Sequence, residues 1–468
     1  MKLIQIIRKI FTLIIAVIQF TVFILINTPT LNCQPNTKQE RDRSFYYFYG
    51  EKGYTEAHIL PTLHQDSIDL LIMFRISNDA LAFTQNKLLN HFIAYPNLEI
   101  VIKDADGIIR KRSIWLDTVI VFNYDKTTSK TEFTRAFQVF RMPAGKYNVG
   151  INYSENNNLF GKKISIDTDS LSEFQAKEII SKPLFVYSPF DSSEVFVPYL
   201  LGGCIGFTQE VPKAILRMSY KKGKEYNFSY IIEKLPSPKT ELAWKGDINL
   251  TGKPVLLENT FLKAFRNNSE KTIFINFESM TQIPQSKLSQ GLLLINFPKS
   301  KFSPGKYRMK VCATGLDTST FDFEVKWEDL PISLRNVDYA IDMMYYVLSD
   351  DEYEEMKSGS PKEKFSKLLD WWAKQDPTNT TPFNEAMSEY FKRVDYAYFN
   401  YQTLSEKDGA KSDRGKIYVL KGPPDKIDRR LEENASFEIW SYSRLNKEYV
   451  FKSVSAGVIR LAEIKDLK

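Results

Sequence analysis

A turn that occurs twice constrains this chain more than any other feature. Met142-Pro143-Ala144-Gly145-Lys146-Tyr147-Asn148-Val149-Gly150-Ile151 is echoed by Phe302-Ser303-Pro304-Gly305-Lys306-Tyr307-Arg308-Met309-Lys310-Val311. In each copy proline sets φ ahead of the turn and glycine permits a positive φ. Tyrosine then opens an alternating strand with one buried face. Two copies predict two separate antiparallel β-sandwiches.

The runs around the first copy agree. Ser67–Ser77, Asn97–Lys103, Ile114–Tyr124 and Arg135–Arg141 are β-branched and aromatic, with turn signals such as Asp104-Ala105-Asp106-Gly107 between them. Short strands at this spacing without helices predict immunoglobulin-like sandwiches over 45–160 and 183–328, joined by a linker at Ser170–Lys182. Tandem sandwiches are usually spacers or binding surfaces, and a fold alone carries no activity.

The N-terminus sets the expected compartment. Lys2, Arg8 and Lys9 precede an apolar run, Ile10–Ile26, of about 17 residues, and Gln34–Arg43 is strongly polar. Residues 1–33 therefore read as a signal peptide or an N-terminal membrane anchor, and either places the rest outside the cytoplasm. Leu31-Asn32-Cys33 has the form of a lipoprotein processing box, with Cys33 as the lipid-modified residue; ordinary cleavage and retention as an anchor are the alternatives.

Composition excludes several classes. The charge of +6 comes from 63 basic and 57 acidic residues mixed along the chain, so the clustered stripe of a nucleic-acid partner is missing. Cys33, Cys204 and Cys312 show no CxxC spacing; of His58, His64 and His91, the first two could share one neighbourhood but have no evident third ligand, so no metal and no cofactor is expected. With Cys33 lipidated, Cys204 and Cys312 either pair or remain free thiols.

After Trp327 the period changes to helical. Val337, Ala340, Ile341, Met344, Tyr345 and Leu348 form one apolar stripe. Ser349-Asp350-Asp351-Glu352 and Ser360-Pro361-Lys362-Glu363 are capping boxes, the second with proline at the first helical position. A further helix, opened by Thr381-Pro382, carries Ala386, Tyr390, Val394, Ala397 and Tyr401. Strands are expected at Lys416–Leu420, Phe437–Tyr442, Tyr449–Val454 and Val458–Glu463, giving an α+β domain over 331–468.

This last region resembles a known family. Asp376-Pro377, Thr381-Pro382-Phe383-Asn384-Glu385, Glu389–Ala397, Gly409-Ala410-Lys411-Ser412-Asp413-Arg414-Gly415, Gly422-Pro423-Pro424-Asp425 and Glu438-Ile439-Trp440 follow the order of the GWxTD domain. Ala410 stands for its tryptophan and Ser412 for its threonine. The resemblance implies an exported bacterial protein without an established activity. It marks Glu385, Arg393, Asp413, Arg414, Gly415, Gly422, Pro423, Pro424 and Trp440 as motif or ligand-binding residues.

Read physically, Asp413 and Arg414 are a pair that fixes a loop just before a strand. Gly415 permits the entry to that strand, and Gly422–Asp425 is the turn leaving it. Glu385, Glu389 and Arg393 share a helix face. The alternative is that Glu385, Arg393, Asp413 and Arg414 line a polar site. Two functions follow. One is a non-enzymatic envelope scaffold, in the periplasm or outer membrane, whose partners are envelope proteins or an extracytoplasmic peptide or glycan. The other is a carboxylate-dependent hydrolase or carbohydrate-active enzyme using Asp413 and Glu385.

Overall fold

Strand Ser67–Ser77 shows why the first region folds as it does. In the computed structural model it lies between Gly53–Leu60 and Phe133–Pro143 in an antiparallel sheet. Ile68, Leu70, Ile72, Phe74 and Ile76 enter the core of the first region. Leu71 and Met73 turn the other way, into a cluster with Val186, Phe196 and Ile275. Side chains alternate across a strand, so the nearly unbroken apolar run is what burial on both faces requires.

The structure describes residues 52–467 except 61–66, 144, 156–157, 168–177, 190–194, 237–243, 245–248, 281–287, 299–301, 379–380, 433–434 and 455–456, with backbone alone over most of 153–167. The N-terminal segment 1–33 with Cys33, His64 and most of the expected linker lie outside the described residues. The chain is mostly β.

Opposite the first sheet stands a second, ordered Asn158–Asp167, Lys146–Glu155, Asn97–Asp104, Ile109–Leu116. The expected strand Ile114–Tyr124 is divided, because Val119–Val121 leaves for a small sheet with His91–Ala94 and Thr84–Asn86. In the second region a seven-stranded sheet runs from Val255–Glu258 through Pro212–Tyr220 and Leu184–Tyr187 to Thr260–Asn267. It faces a five-stranded sheet that contains Phe228–Lys234, Gly305–Ala313 and Ser319–Lys326. Tyr147 and Tyr307 thus lie in different sheets. Of the two turn glycines, only Gly305 has a positive φ, +146°. The linker ends sooner than expected, since Ile179 and Ser181 already bond to Ser219 and Arg217.

The C-terminal region begins with helices α1 (Val337–Met344), α2 (Asp350–Lys357), α3 (Pro361–Lys374), α4 (Glu385–Asn400) and α5 (Asp413–Lys421). A meander of Lys426–Glu432, Ala435–Tyr442, Lys447–Ser453 and Ile459–Asp466 follows. Both capping boxes are formed, at Ser349/Glu352 and Ser360/Glu363. Helix α1 stops at Met344, so Tyr345 leaves the expected stripe and is 53% exposed. Helix α4 starts at Glu385 rather than at Thr381-Pro382, because the Asn384 side chain caps it by accepting the Met387 N–H at 2.8 Å.

Two expectations are corrected here. Lys416–Leu420 is not a strand but the body of α5, and Lys426–Glu432 is a strand the sequence reading lacked. A short apolar run such as Ile417–Leu420 fits either element when buried. The deciding signals are the flanks: Ser412 at the N-cap and Gly422 after the last turn, with φ +81°. The Gly422-Pro423-Pro424-Asp425 turn therefore ends a helix.

The core is continuous from the second region into the helices. Phe207 lies 5.4 Å from both Trp327 and Phe383. Trp244 meets Trp327 at 5.6 Å and Phe365 at 5.2 Å. These edge and tilted contacts suit the ring quadrupoles. Cys204 and Cys312 are free thiols, the first buried.

Candidate functional site

Gly409-Ala410-Lys411 forms a single 3-10 turn pressed between α4 and α5. A Cβ on Gly409 would stand 2.3 Å from the Ala397 carbonyl oxygen, and one on Gly415 would stand 2.0 Å from the Gly409 carbonyl oxygen. Both glycines are thus required by backbone approach; Gly415 has no strand to enter. Ala410 is fully buried, and its carbonyl accepts from the Tyr346 hydroxyl at 3.0 Å. Burial, with the nearby Asp408 and Asp413 charges, pushes that phenol up to about 12.

Ser412 caps α5: its Oγ accepts the Gly415 N–H at 3.0 Å and donates to the Gly409 carbonyl at 2.7 Å. Serine and threonine can both perform this task, so a threonine at Ser412 would fit the same cap. Asp413 and Arg414 sit in the first turn of α5 and take different partners. Asp413 Oδ2 accepts the Leu461 N–H at 2.8 Å, tying α5 to the last strand. Arg414 lies 3.6 Å from Glu438 Oε1 and 5.1 Å from the centre of the Tyr401 ring. The expected Asp413–Arg414 pair is replaced because adjacent helical residues point in different directions.

Glu438 is the centre that sequence reasoning missed. Its Oε1 accepts the Trp440 indole N–H at 2.8 Å, and its Oε2 accepts from Arg429 at 3.2 Å. Trp440 is fully buried, with Phe451 at 4.9 Å and Tyr401 at 5.3 Å. The available signal was the spacing of Glu438 and Trp440, which places them on one face of a strand.

Arg393 and Glu389, on the helix face expected from their spacing, form an ion pair at 2.7 Å. The Arg393 guanidinium also lies over Gly422, within 3.1 Å of where a Cβ would be, and the Gly422 carbonyl accepts from Tyr442 at 2.9 Å. Glu385 stands apart at the start of α4. Its Oε2 is buried without a hydrogen-bond partner, and its charge, after burial, helps to push up the carboxyl of Asp376. The structure therefore brings Asp413, Arg414 and Trp440 to one neighbourhood and Arg393, Gly422, Pro423 and Pro424 to another, with Glu385 in neither. Sequence reasoning also missed Asp395, whose carboxylate accepts the N–H groups of Ile332 and Ser333 at 2.6 and 2.9 Å. Burial raises its carboxyl despite those donors. Three clefts among the described residues, at Arg75–Phe383, Asp104–Tyr147 and Ile205–Pro382, are lined by other residues.

Residues 305–456 match the model of the GWxTD domain. The match opens in strand Gly305–Ala313, so it includes a hairpin of the five-stranded sheet beneath the helices. No curated protein matches the chain. Among solved structures, red sea bream transglutaminase is 8% identical over 63% of this chain and 34% of its own, with a TM-score of 0.16. The C-terminal domain of the Streptococcus pyogenes antigen I/II-family protein AspA is 8% identical, covering 59% of this chain and all of that domain, TM-score 0.14. The collagen adhesin of S. aureus is 12% identical over 58% of this chain and 92% of its own, TM-score 0.15. Likenesses at such scores bear on neither fold nor activity. The family match spans the namesake position, Gly409-Ala410-Lys411-Ser412-Asp413, and this chain carries a GWxTD domain.

Proposed function

We propose that the protein is a non-enzymatic component of the cell envelope, with two immunoglobulin-like sandwiches as a spacer and the GWxTD domain as an interaction module. One observation carries this reading: the polar groups of the motif are used inside the fold. Ser412 caps a helix, Asp413 holds a strand N–H, and Glu438 is closed by Trp440, Arg414 and Arg429. An acid–base pair needs two carboxylates facing a common cleft. Asp413 and Glu385 lie on different helices, Asp413 bonded to the last strand and Glu385 beside Asp376, which favours the scaffold over the hydrolase reading.

In this reading residues 1–33 direct export, Cys33 is lipid-modified, and the protein is held at the periplasm or outer membrane. Its partners are envelope proteins or an extracytoplasmic peptide or glycan. Cell fractionation tests the compartment, and metabolic lipid labelling of wild type against Cys33→Ala tests the anchor. Recovery of the chain in the cytoplasmic fraction would end the envelope reading. Cross-linking in intact cells, followed by purification from membranes, tests the scaffold role; turnover of a glycan or peptide by the purified chain would replace it.

A further inference from the structure

A cleft of about 470 Å³ opens where the first region, the second region and the GWxTD domain meet. Arg75, Phe133 and Arg135 come from the first sheet, Tyr187, Tyr199 and Phe207 from the second region, and Glu328 and Phe383 from the C-terminal side. Its walls are aromatic and its charged groups converge, the usual form of a small-ligand site.

The two arginines are short of acceptors. Arg75 is 3% exposed; it pairs with Glu328 and lies 4.0 Å over the Phe133 ring. Its Nε is buried without a hydrogen-bond partner, and the same holds for Arg135 Nε. Among the described residues Arg135 makes no ion pair, and its guanidinium stands 5.6 Å from the Phe133 ring. Burial and the Arg75 charge pull the Arg135 guanidinium below its ordinary value, opposed by Tyr187 and Glu328. Burial pushes the carboxyls of Glu328 and Glu210 up, which weakens two of the acids that line the cleft, and the third, Asp329, is paired with Lys392.

A guanidinium has five donors and no acceptor, so an unfilled edge in a partly dry cleft calls for an anion. Its planar fork matches a carboxylate in two parallel bonds. We propose that this cleft binds a carboxylate ligand: Arg135 pairs with the carboxylate, and Phe133, Tyr187 and Phe207 hold an adjoining apolar group. The space suits a small organic acid or the last residues of a peptide. The inference is independent of the scaffold reading, because a titration decides it whatever the GWxTD domain binds.

The test is calorimetric titration of the full-length chain with N-acetyl-Phe-Ala, with its C-terminal amide, and with succinate. The expected result is that a carboxylate binds and the amide does not. Binding of the peptide alone assigns a chain terminus, and binding of succinate assigns a free acid. Arg135→Gln, with its melt compared to wild type, should weaken binding about tenfold or more, the worth of a charge-assisted bond. Glu328→Gln removes the competing acid and should tighten binding, which keeps the test decisive if Arg135→Gln does not fold. Equal binding of acid and amide, no binding of either acid, or no change in Arg135→Gln overturns the proposal, as does unchanged or weaker binding in Glu328→Gln.

Discussion

Tyr147 and Tyr307 make the same bond in two different sheets: each hydroxyl donates to the carbonyl four residues upstream, Pro143 at 2.9 Å and Ser303 at 2.7 Å. The echo in the sequence is therefore an echo in hydrogen bonding. Each tyrosine stitches the strand it opens to the segment before the turn, with its ring buried at 6% and 0% exposure. The polar tip of a buried ring needs such a partner.

The second copy carries more of the load. Tyr307 also accepts the Ser303 N–H at 3.1 Å and stacks on Phe323 at 5.5 Å, whereas Tyr147 borders an open cleft. Tyr307→Phe should cost about 1–3 kcal/mol, since two buried backbone groups lose their partner. Tyr147→Phe should cost about 1 kcal/mol or less, because water reaches the carbonyl. Urea unfolding of both variants checks this; equal midpoints would show that the two bonds are not graded by burial.

Gly415 gives a prediction in which two principles disagree in sign. Glycine inside a helix is worse than alanine by about 1 kcal/mol, so propensity alone predicts that Gly415→Ala stabilises α5. The Cβ would stand 2.0 Å from the Gly409 carbonyl oxygen and 2.8 Å from the Ala410 Cα, neither of which is a flexible side-chain end. Packing should win, with a loss above about 3 kcal/mol. A higher melting temperature in Gly415→Ala would mean that the turn does not press on α5.

What the sequence made legible was local. Ser349/Glu352 and Ser360/Glu363 could be read because a capping box lies within four residues. The repeated tyrosine turn was legible for the same reason. Helix α5 was misread because four consecutive apolar residues, Ile417–Leu420, do not distinguish a period of 3.6 from one of 2. Glu438 was passed over because Arg414 and Arg429 reach it from a helix and another strand. The Arg75–Glu328 pair joins the first sheet to the segment after Trp327, a contact no local pattern encodes.

Asp117 clamps the first region to the second. Its carboxylate bonds Arg266 at 2.5 Å and Lys271 at 2.9 Å, and Arg266 also donates to the Arg135 carbonyl at 2.7 Å. Burial alone raises the carboxyl, but the bonds from Arg266 and Lys271 outweigh it and hold it below the usual range. A depressed carboxyl contributes stability that is present above its unfolded pKa of about 3.9 and is lost as pH falls through the folded value. The stability gap between wild type and Asp117→Asn should therefore be full at neutral pH and close in acid, beginning below about pH 4. Urea midpoints across pH measure it, and a gap that stays constant into strong acid would show that the charge of Asp117 is not what holds the clamp.

Asp413 and Arg414 test how the GWxTD motif works. An interior Asp–Arg pair would cost about 3–5 kcal/mol to break. Asp413 is half-buried, however, and its partner is the neutral Leu461 N–H, while the Arg414 charge faces Glu438. Asp413→Ala should then cost about 1–3 kcal/mol for the unpaired N–H, plus a few tenths for the lost negative charge at the start of α5. Asp413→Asn keeps an acceptor and should recover most of the loss. Because the two side chains have separate partners, Asp413→Ala and Arg414→Met should add to within about 0.5 kcal/mol in the double variant. Melts of the four proteins decide between the readings: additivity fits two independent anchors, one to the last strand and one to Glu438. A coupling well above that limit would restore a direct pair, and with it the loop-fixing role expected from the sequence.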